Sequence, residues 1–311
     1  MTAPFMDAPS SDRTAPAVDP AAPGPAPAAP GPLRRTLAAF TRNKLALTGA
    51  FVLLGLLALC YLGPLLHPTD QTHTDLSQAS LPPGSPGHLL GTTDLGHDML
   101  GRLMYGGQTS LEVGLAAGLL ATLFGTVYGA VAGYFGGWAD AAMMRVTDAA
   151  LAIPALFLLV VVAAIVTPSK PVLILIIASV AWLSPARLIR GEALALRGRD
   201  YVHAMRLMGG GGTRAVFRHI LPGAVGTVIV NATFQVADAI LYVAYLSFLG
   251  LSIPPPAADW GSMLSAGITY TQVGHWWLIF PPGLAIVLVV AAFNFLGDGL
   301  RDAFDVRLRK S

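Results

Sequence analysis

Apolar positions gather in six long runs, at 45–66, 111–134, 149–166, 171–189, 224–251 and 276–296, separated by polar or glycine- and proline-rich stretches. A helix rises 1.5 Å per residue, so about 20 apolar residues cross the hydrocarbon core of a bilayer. A buried helix of a large soluble protein would keep a polar face at the helical period; these runs are apolar all round. Each therefore predicts a membrane span. Only residues 167–170 separate the third run from the fourth, which forces an antiparallel hairpin. The fifth run is long and carries polar residues, which predicts a tilt or a break at one end. The pattern specifies an all-α polytopic membrane protein with six transmembrane helices.

Composition agrees. Hydrophobic residues make up 54% of the 311 residues and charged ones 12%, with a mean hydropathy of +0.63. Soluble domains carry about 25% charged residues, enough to cover a wet surface. The net charge of +2 hides an asymmetry that sets orientation. With the N-terminus inside, 17 of the 19 Lys and Arg fall on inside segments, and only Arg102 and Lys170 fall outside. Positive residues favour the cytoplasmic side, so both termini are read as cytoplasmic. Residues 1–33 hold nine prolines and much alanine, and read as a disordered cytoplasmic tail. The remaining division is a basic segment with the first span at 34–66, an extracytoplasmic segment at 67–108, a core of five spans at 109–299 and a cytoplasmic C-terminal tail at 300–311.

Enzyme chemistry finds no support. No lysine follows a glycine, so the phosphate-binding GxxxxGK[ST] loop is missing, and no His precedes Glu as a zinc-protease helix requires. No GxSxG elbow occurs. The single cysteine, Cys60, excludes an intrachain disulfide, and the seven histidines show no metal-ligand spacing. Basic residues sit beside the spans, which gives nucleic-acid binding no footing. The expectation is no catalytic residue, no metal and no cofactor on this chain.

Two features remain. The inside loop at 187–222 carries seven arginines and reads as helices at 192–197, 201–208 and 213–220, with a stop at 209–212 and Pro222 opening the fifth span. Positive charge alone would serve to anchor topology; ordered helices point to a docking surface for a cytoplasmic partner. Both readings fit the residues. The second feature is Asn231, Gln235 and Asp238, which share one helix face at i, i+4 and i+7. A carboxylate in hydrocarbon costs at least about 2.5 kcal/mol, so it faces protein or a wet cavity. The face either lines a path or forms an interhelical hydrogen-bond cluster. Asn294 and Asp298 form a similar pair near the inner end of the sixth run. Gly114, Gly118, Gly125, Gly129 and Gly133 make two small-residue series that permit close helix approach, within the chain or at an interface with another membrane subunit. Pro154 is expected to kink the third span.

The loop also carries a resemblance. Tyr201-Val-His-Ala-Met-Arg-Leu-Met-Gly209 followed by Arg218-His-Ile-Leu-Pro222 resembles the EAA loop of binding-protein-dependent ABC permeases, and its ending resembles the peptide-type subgroup. Further matches are His88-Leu-Leu-Gly-Thr-Thr-Asp94-Leu-Gly96 with Asp98, Arg102, Tyr105-Gly106 and Ser110-Leu111; Thr147-Asp148 with Ala152-Ile-Pro154; Leu246-Ser-Phe-Leu-Gly-Leu251; Trp260-Gly261; and Gly297-Asp-Gly-Leu-Arg-Asp302. The likeness covers roughly 33–310 and fits the C-type partner of dipeptide and oligopeptide permease pairs. His203 stands where the family has glutamate, Met205 where it has the second alanine, and Gly209–Gly212 replace one glycine and two small polar residues. His97 and Gln108 replace arginines, and Val243 a glutamate.

The resemblance implies a type I importer permease in the bacterial inner membrane. Its partners would be a B-type permease, two ATP-binding subunits that hold ATP and Mg, and an extracytoplasmic substrate-binding protein. It implies an ATPase-coupling loop made of Tyr201, His203, Ala204, Met205, Gly209, Arg218, Leu221 and Pro222. A self-contained secondary transporter or channel is the alternative; it would need inverted repeats, which the sequence does not show.

Overall fold

Hydrophobic runs become helices here because a backbone in lipid can satisfy its N–H and C=O groups only within itself. The computed structural model describes residues 40–308; the tail expected at 1–33 lies outside the described residues. The helices are α1 (Lys44–Leu66), α2 (Met99–Phe135), α3 (Gly137–Leu151), α4 (Ala155–Ala164), α5 (Lys170–Ala181), α6 (Leu183–Arg197), α7 (Asp200–Leu207), α8 (212–223), α9 (Val225–Phe248), α10 (Trp260–Ile268) and α11 (Phe280–Leu308). Among the described residues there is no strand, only two isolated bridges in the outer segment.

α1, α2, α9 and the stretch Trp276–Phe304 are each long and apolar enough to cross a membrane. The third and fourth spans are broken. α3 and α4 meet at 81°, and α5 and α6 at 45°. Proline causes both breaks. Pro154 has no N–H to continue the helix, and the residue before it avoids helical geometry. Pro185 likewise cannot donate to the Ala181 carbonyl one turn back. The amide nitrogen of Gln235 on α9 donates to that carbonyl instead, at 2.9 Å. Gln235 is only 5% exposed, so this bond replaces a missing backbone bond in a dry place. Gln235→Leu would leave the carbonyl unpaired, at about 1–3 kcal/mol. Its thermal midpoint in detergent should fall below that of the parent; an unchanged midpoint would contradict the role.

α2 is the central post. It packs against α6, α9 and α5, while α1 and α9 pack on α11. The glycine series explains the closeness. A Cβ on Gly114 would meet Ile240, and one on Gly118 would meet Val236, both on α9. On Gly125, Gly129 and Gly133 it would meet the backbone oxygens of Trp182, Ala186 and Arg190. The small faces are packing surfaces, as expected, but they pack against α6 and α9 of this chain and not against a second subunit.

α2 begins at Met99, well before the apolar run at 111, because Asp98 caps it by accepting from Gly101 N at 2.7 Å. The segment before it folds into an outer cap. His88 bridges Asp98 and Gln78 at 2.9 and 2.6 Å, Tyr270 donates to Asp94 at 2.9 Å, and Trp277 donates to the Thr92 carbonyl at 3.2 Å. Trp260 reaches Ser110 and the Leu103 carbonyl. Gly96 takes a φ of +80° where a Cβ would strike the Asp75 carbonyl. Burial first, and the neighbouring Arg102 guanidinium second, hold the His97 ring below the usual histidine range. Arg102 can only donate, so the neutral ring accepts at Nδ1 (3.2 Å) and its Nε2–H faces Thr74 Oγ1 (3.2 Å). Gln108 donates to the Cys60 carbonyl at 2.7 Å, at the π-helical turn of α1. Both side chains thus have polar partners.

Candidate functional site

The helical loop is built in layers. Val202 and Met205, three apart on α7, are buried with Tyr134 of α2, Ile189 of α6, and Val216 and Ile220 of α8. Arg206 donates to the Tyr134 hydroxyl at 3.2 Å and lies 4.6 Å over its ring. Arg197 donates to the Gly133 carbonyl at the cytoplasmic end of α2, where the helix dipole favours a cation. α7 ends at a two-bond glycine cap: Gly210 N donates to Met205 O and Gly209 N to Arg206 O, both at 3.0 Å. Gly209 takes φ +82°, the left-handed geometry that this ending requires. The expected helix at 201–208 is therefore present. The expected 192–197 helix is the end of α6, and α8 begins at Gly212, inside the expected stop.

The outer layer of the loop is exposed. Tyr201, His203, Ala204 and Gly209 face outward, with Leu207 at 89% and Met208 at 82% exposure. On α8, Phe217, Arg218 and Pro222 are exposed and Leu221 is half-buried. The Tyr201 and His219 rings lie 6.0 Å apart and join the two helices. Met205 differs from the other predicted loop residues: it faces the core and fixes α7 in place. The sequence reading did not pick out Leu207 and Met208. The signal was available, since with Val202 and Met205 inward at helical spacing, two large apolar residues at the tip of a basic loop must point out.

The second site lies where the two broken spans meet α9. A cavity of about 160 Å³ is lined by Leu151 and Pro154 at one break, Ala181 and Ser184 at the other, and Gln235, Asp238 and Tyr242. Asp238 is exposed to it from the middle of α9. Asn231 does not reach it; its Oδ1 is buried and finds no hydrogen-bond partner among the described residues. The predicted polar face thus splits into a wall residue (Asp238), a wall residue that also supports a helix (Gln235), and a residue set apart from the cavity (Asn231). A neighbouring cavity of about 330 Å³ shares Leu151 and Ser184 and reaches Arg187.

Two ion pairs fasten α3 to α6 beside these cavities. Arg190 grips Asp140 through two bonds of 2.6 and 2.7 Å, and Arg187 pairs with Asp148. Sequence alone does not reveal these pairs, because their members lie 50 and 39 residues apart.

Comparison with known proteins fits this arrangement. Residues 125–310 match the family described as binding-protein-dependent transport system inner membrane component, and residues 31–83 match the N-terminal TM domain of oligopeptide transport permease C. The chain is 39% identical to the dipeptide transport system permease protein DppC of Bacillus subtilis (strain 168), over 86% of this chain and 84% of that protein. It is 36% identical to the oligopeptide transport system permease protein OppC of the same organism, over 87% and 88%. It is 39% identical to the DppC of Haemophilus influenzae, over 87% and 93%. These matches span both the broken-span core and the first span with its outer segment. The chain belongs to the family of inner membrane components of binding-protein-dependent transport systems, and it is a membrane permease subunit.

Proposed function

We propose that this chain forms half of the translocation path of an ATP-driven peptide importer and receives an ATP-binding subunit on α7 and α8. The observation that carries the docking assignment is the exposed tip of α7. Leu207 and Met208 are apolar and stand 89% and 82% exposed on a segment that charge places in the cytoplasm. Such residues on an otherwise tightly anchored helix mark a protein contact. Arg214 and Arg218, exposed on the adjoining α8, add positive charge to the same loop.

The packing supplies a route for force. α7 is tied to the end of α2 and to α6 through the buried Val202 and Met205. α6 carries the Ala181–Leu183 break that walls the cavity. A partner that displaces α7 therefore moves α6 as a body and reshapes the cavity around Asp238. Closure of an ATPase dimer is such a displacement. ATP and Mg would be held by the two partner ATPases, since this chain's sequence has no phosphate loop. A B-type permease would supply the other half of the path, and an extracytoplasmic binding protein would deliver peptide to the outer cap.

Purification of the tagged chain from native membranes tests the assembly. Two ATP-binding subunits and a second permease should accompany each copy. A chain that transports peptide in vesicles with no ATP-binding subunit present would contradict the proposal.

A further inference from the structure

The cavity at the helix breaks holds a single formal charge, and no ion pair among the described residues balances it. The wall of that cavity contains no Lys, Arg or His. Among the described residues the Asp238 carboxylate has no hydrogen bond and no ion pair. The nearest candidate cation along the cavities, Arg187, is already paired with Asp148. The amide nitrogen of Gln235 is committed to the Ala181 carbonyl. Two further oxygens on the same wall, the Ser184 hydroxyl and the Tyr242 phenol, also have no hydrogen-bond partner among the described residues. A carboxylate in the middle of a membrane span is costly to keep without a balancing charge or water. Three side chains with unused acceptor capacity around one small space, one of them a carboxylate, suit a ligand that only donates.

A primary ammonium is such a ligand, with three donors and no acceptor. At about 160 Å³ the cavity is smaller than the roughly 300–1,000 Å³ of whole-ligand pockets, and so fits a terminal group rather than an entire peptide. The described residues offer no group of three or more His, Cys, Asp or Glu side chains that could hold a metal ion. Resting on the reading of this cavity as part of a peptide path, we propose that Asp238, with Ser184 and Tyr242, forms a subsite that receives the N-terminal ammonium of the passing peptide. Asp238 is then a specificity residue within the membrane, separate from selection by the binding protein.

The test uses the intact complex in proteoliposomes, with Cys60→Ala as background and a pool of di- to pentapeptides with free amino termini as cargo. Asp238→Asn should lower the maximal uptake rate about tenfold, the loss of one charge-assisted contact, while the complex still assembles. Asp238→Glu should retain most uptake. In Asp238→Cys, methanethiosulfonates carrying a sulfonate or a trimethylammonium should both react. The sulfonate adduct should then restore uptake relative to the ammonium adduct. Replacement of sodium and potassium by N-methylglucamine should leave wild-type uptake intact. A cysteine unreactive to both reagents would overturn the path reading itself. Reactivity with equal uptake from both adducts, and full uptake by Asp238→Asn, would overturn the ammonium subsite while leaving the path in place. Collapse of uptake without alkali cations would assign the carboxylate to a metal ion instead. A wild-type complex that takes up none of the peptides would overturn both readings.

Discussion

Gly129→Leu is expected to leave almost no folded permease. A Cβ at this position would lie 2.2 Å from the Ala186 carbonyl oxygen and 2.9 Å from Arg190 N. Both are backbone atoms of α6, so no side chain can swing aside. The helices must part, and their separation would also pull Arg190 from Asp140, a pair held by two short bonds. Overpacking costs about 1–3 kcal/mol where side chains can adjust. Against rigid backbone the penalty lies at or above the top of that range. Helix propensity works the other way, since leucine is favoured over glycine by somewhat under 1 kcal/mol, so the sign is decided by packing. Gly191, one position beyond Arg190, provides the control, because a Cβ there meets nothing within 4 Å. Gly191→Ala should match or slightly exceed the parent. The readout is the monodisperse peak on fluorescence-detected size exclusion and the thermal midpoint in detergent. A normal peak for Gly129→Leu would show that α2 and α6 do not pack as described.

Ala204→Asp is expected to abolish ATP-driven uptake while sparing the fold. Ala204 is exposed on α7, with Val202 and Met205 holding the helix from the other side. Aspartate in place of alanine therefore meets no neighbour within the chain and costs only up to about 0.7 kcal/mol of helix propensity. At a docked interface the same carboxylate would be buried without a partner. Leaving a charge unpaired in a protein contact costs about 2–5 kcal/mol, more than a tenfold loss of coupling. Chain yield and thermal midpoint should stay near those of the parent, whereas uptake into vesicles should fall at least tenfold. Because stability and transport separate in this variant, misfolding cannot mimic the outcome.

The hydrophobic pattern showed the six spans plainly, since span length and charge asymmetry are local properties of the chain. It did not show how two of them break. Pro154 announces its kink, but the opening at Trp182 depends on Pro185 leaving the Ala181 carbonyl free, and on Gln235, more than fifty residues later, accepting the task of filling it. Seen along α9 alone, Gln235 was one member of a polar face; the fold gives its amide a structural bond as well. The glycines of α2 read as an interface, and they are one, but with α6 and α9 of the same chain. The helical loop at 187–222 was legible because its cap glycine and inward pair lie within one short stretch. The Asp140–Arg190 grip was not, because only tertiary packing brings those residues together.

Transport by this route requires that α7 enter an ATP-binding subunit. A photo-reactive or cysteine cross-linker placed at Leu207, an apolar residue of α7 that is 89% exposed, measures this directly in the assembled complex. A cross-link from position 207 to the ATP-binding subunit is expected in high yield, and it should disappear in the Ala204→Asp background. Cross-links that form only with lipid or with other copies of this chain, together with undiminished uptake by Ala204→Asp, would contradict it.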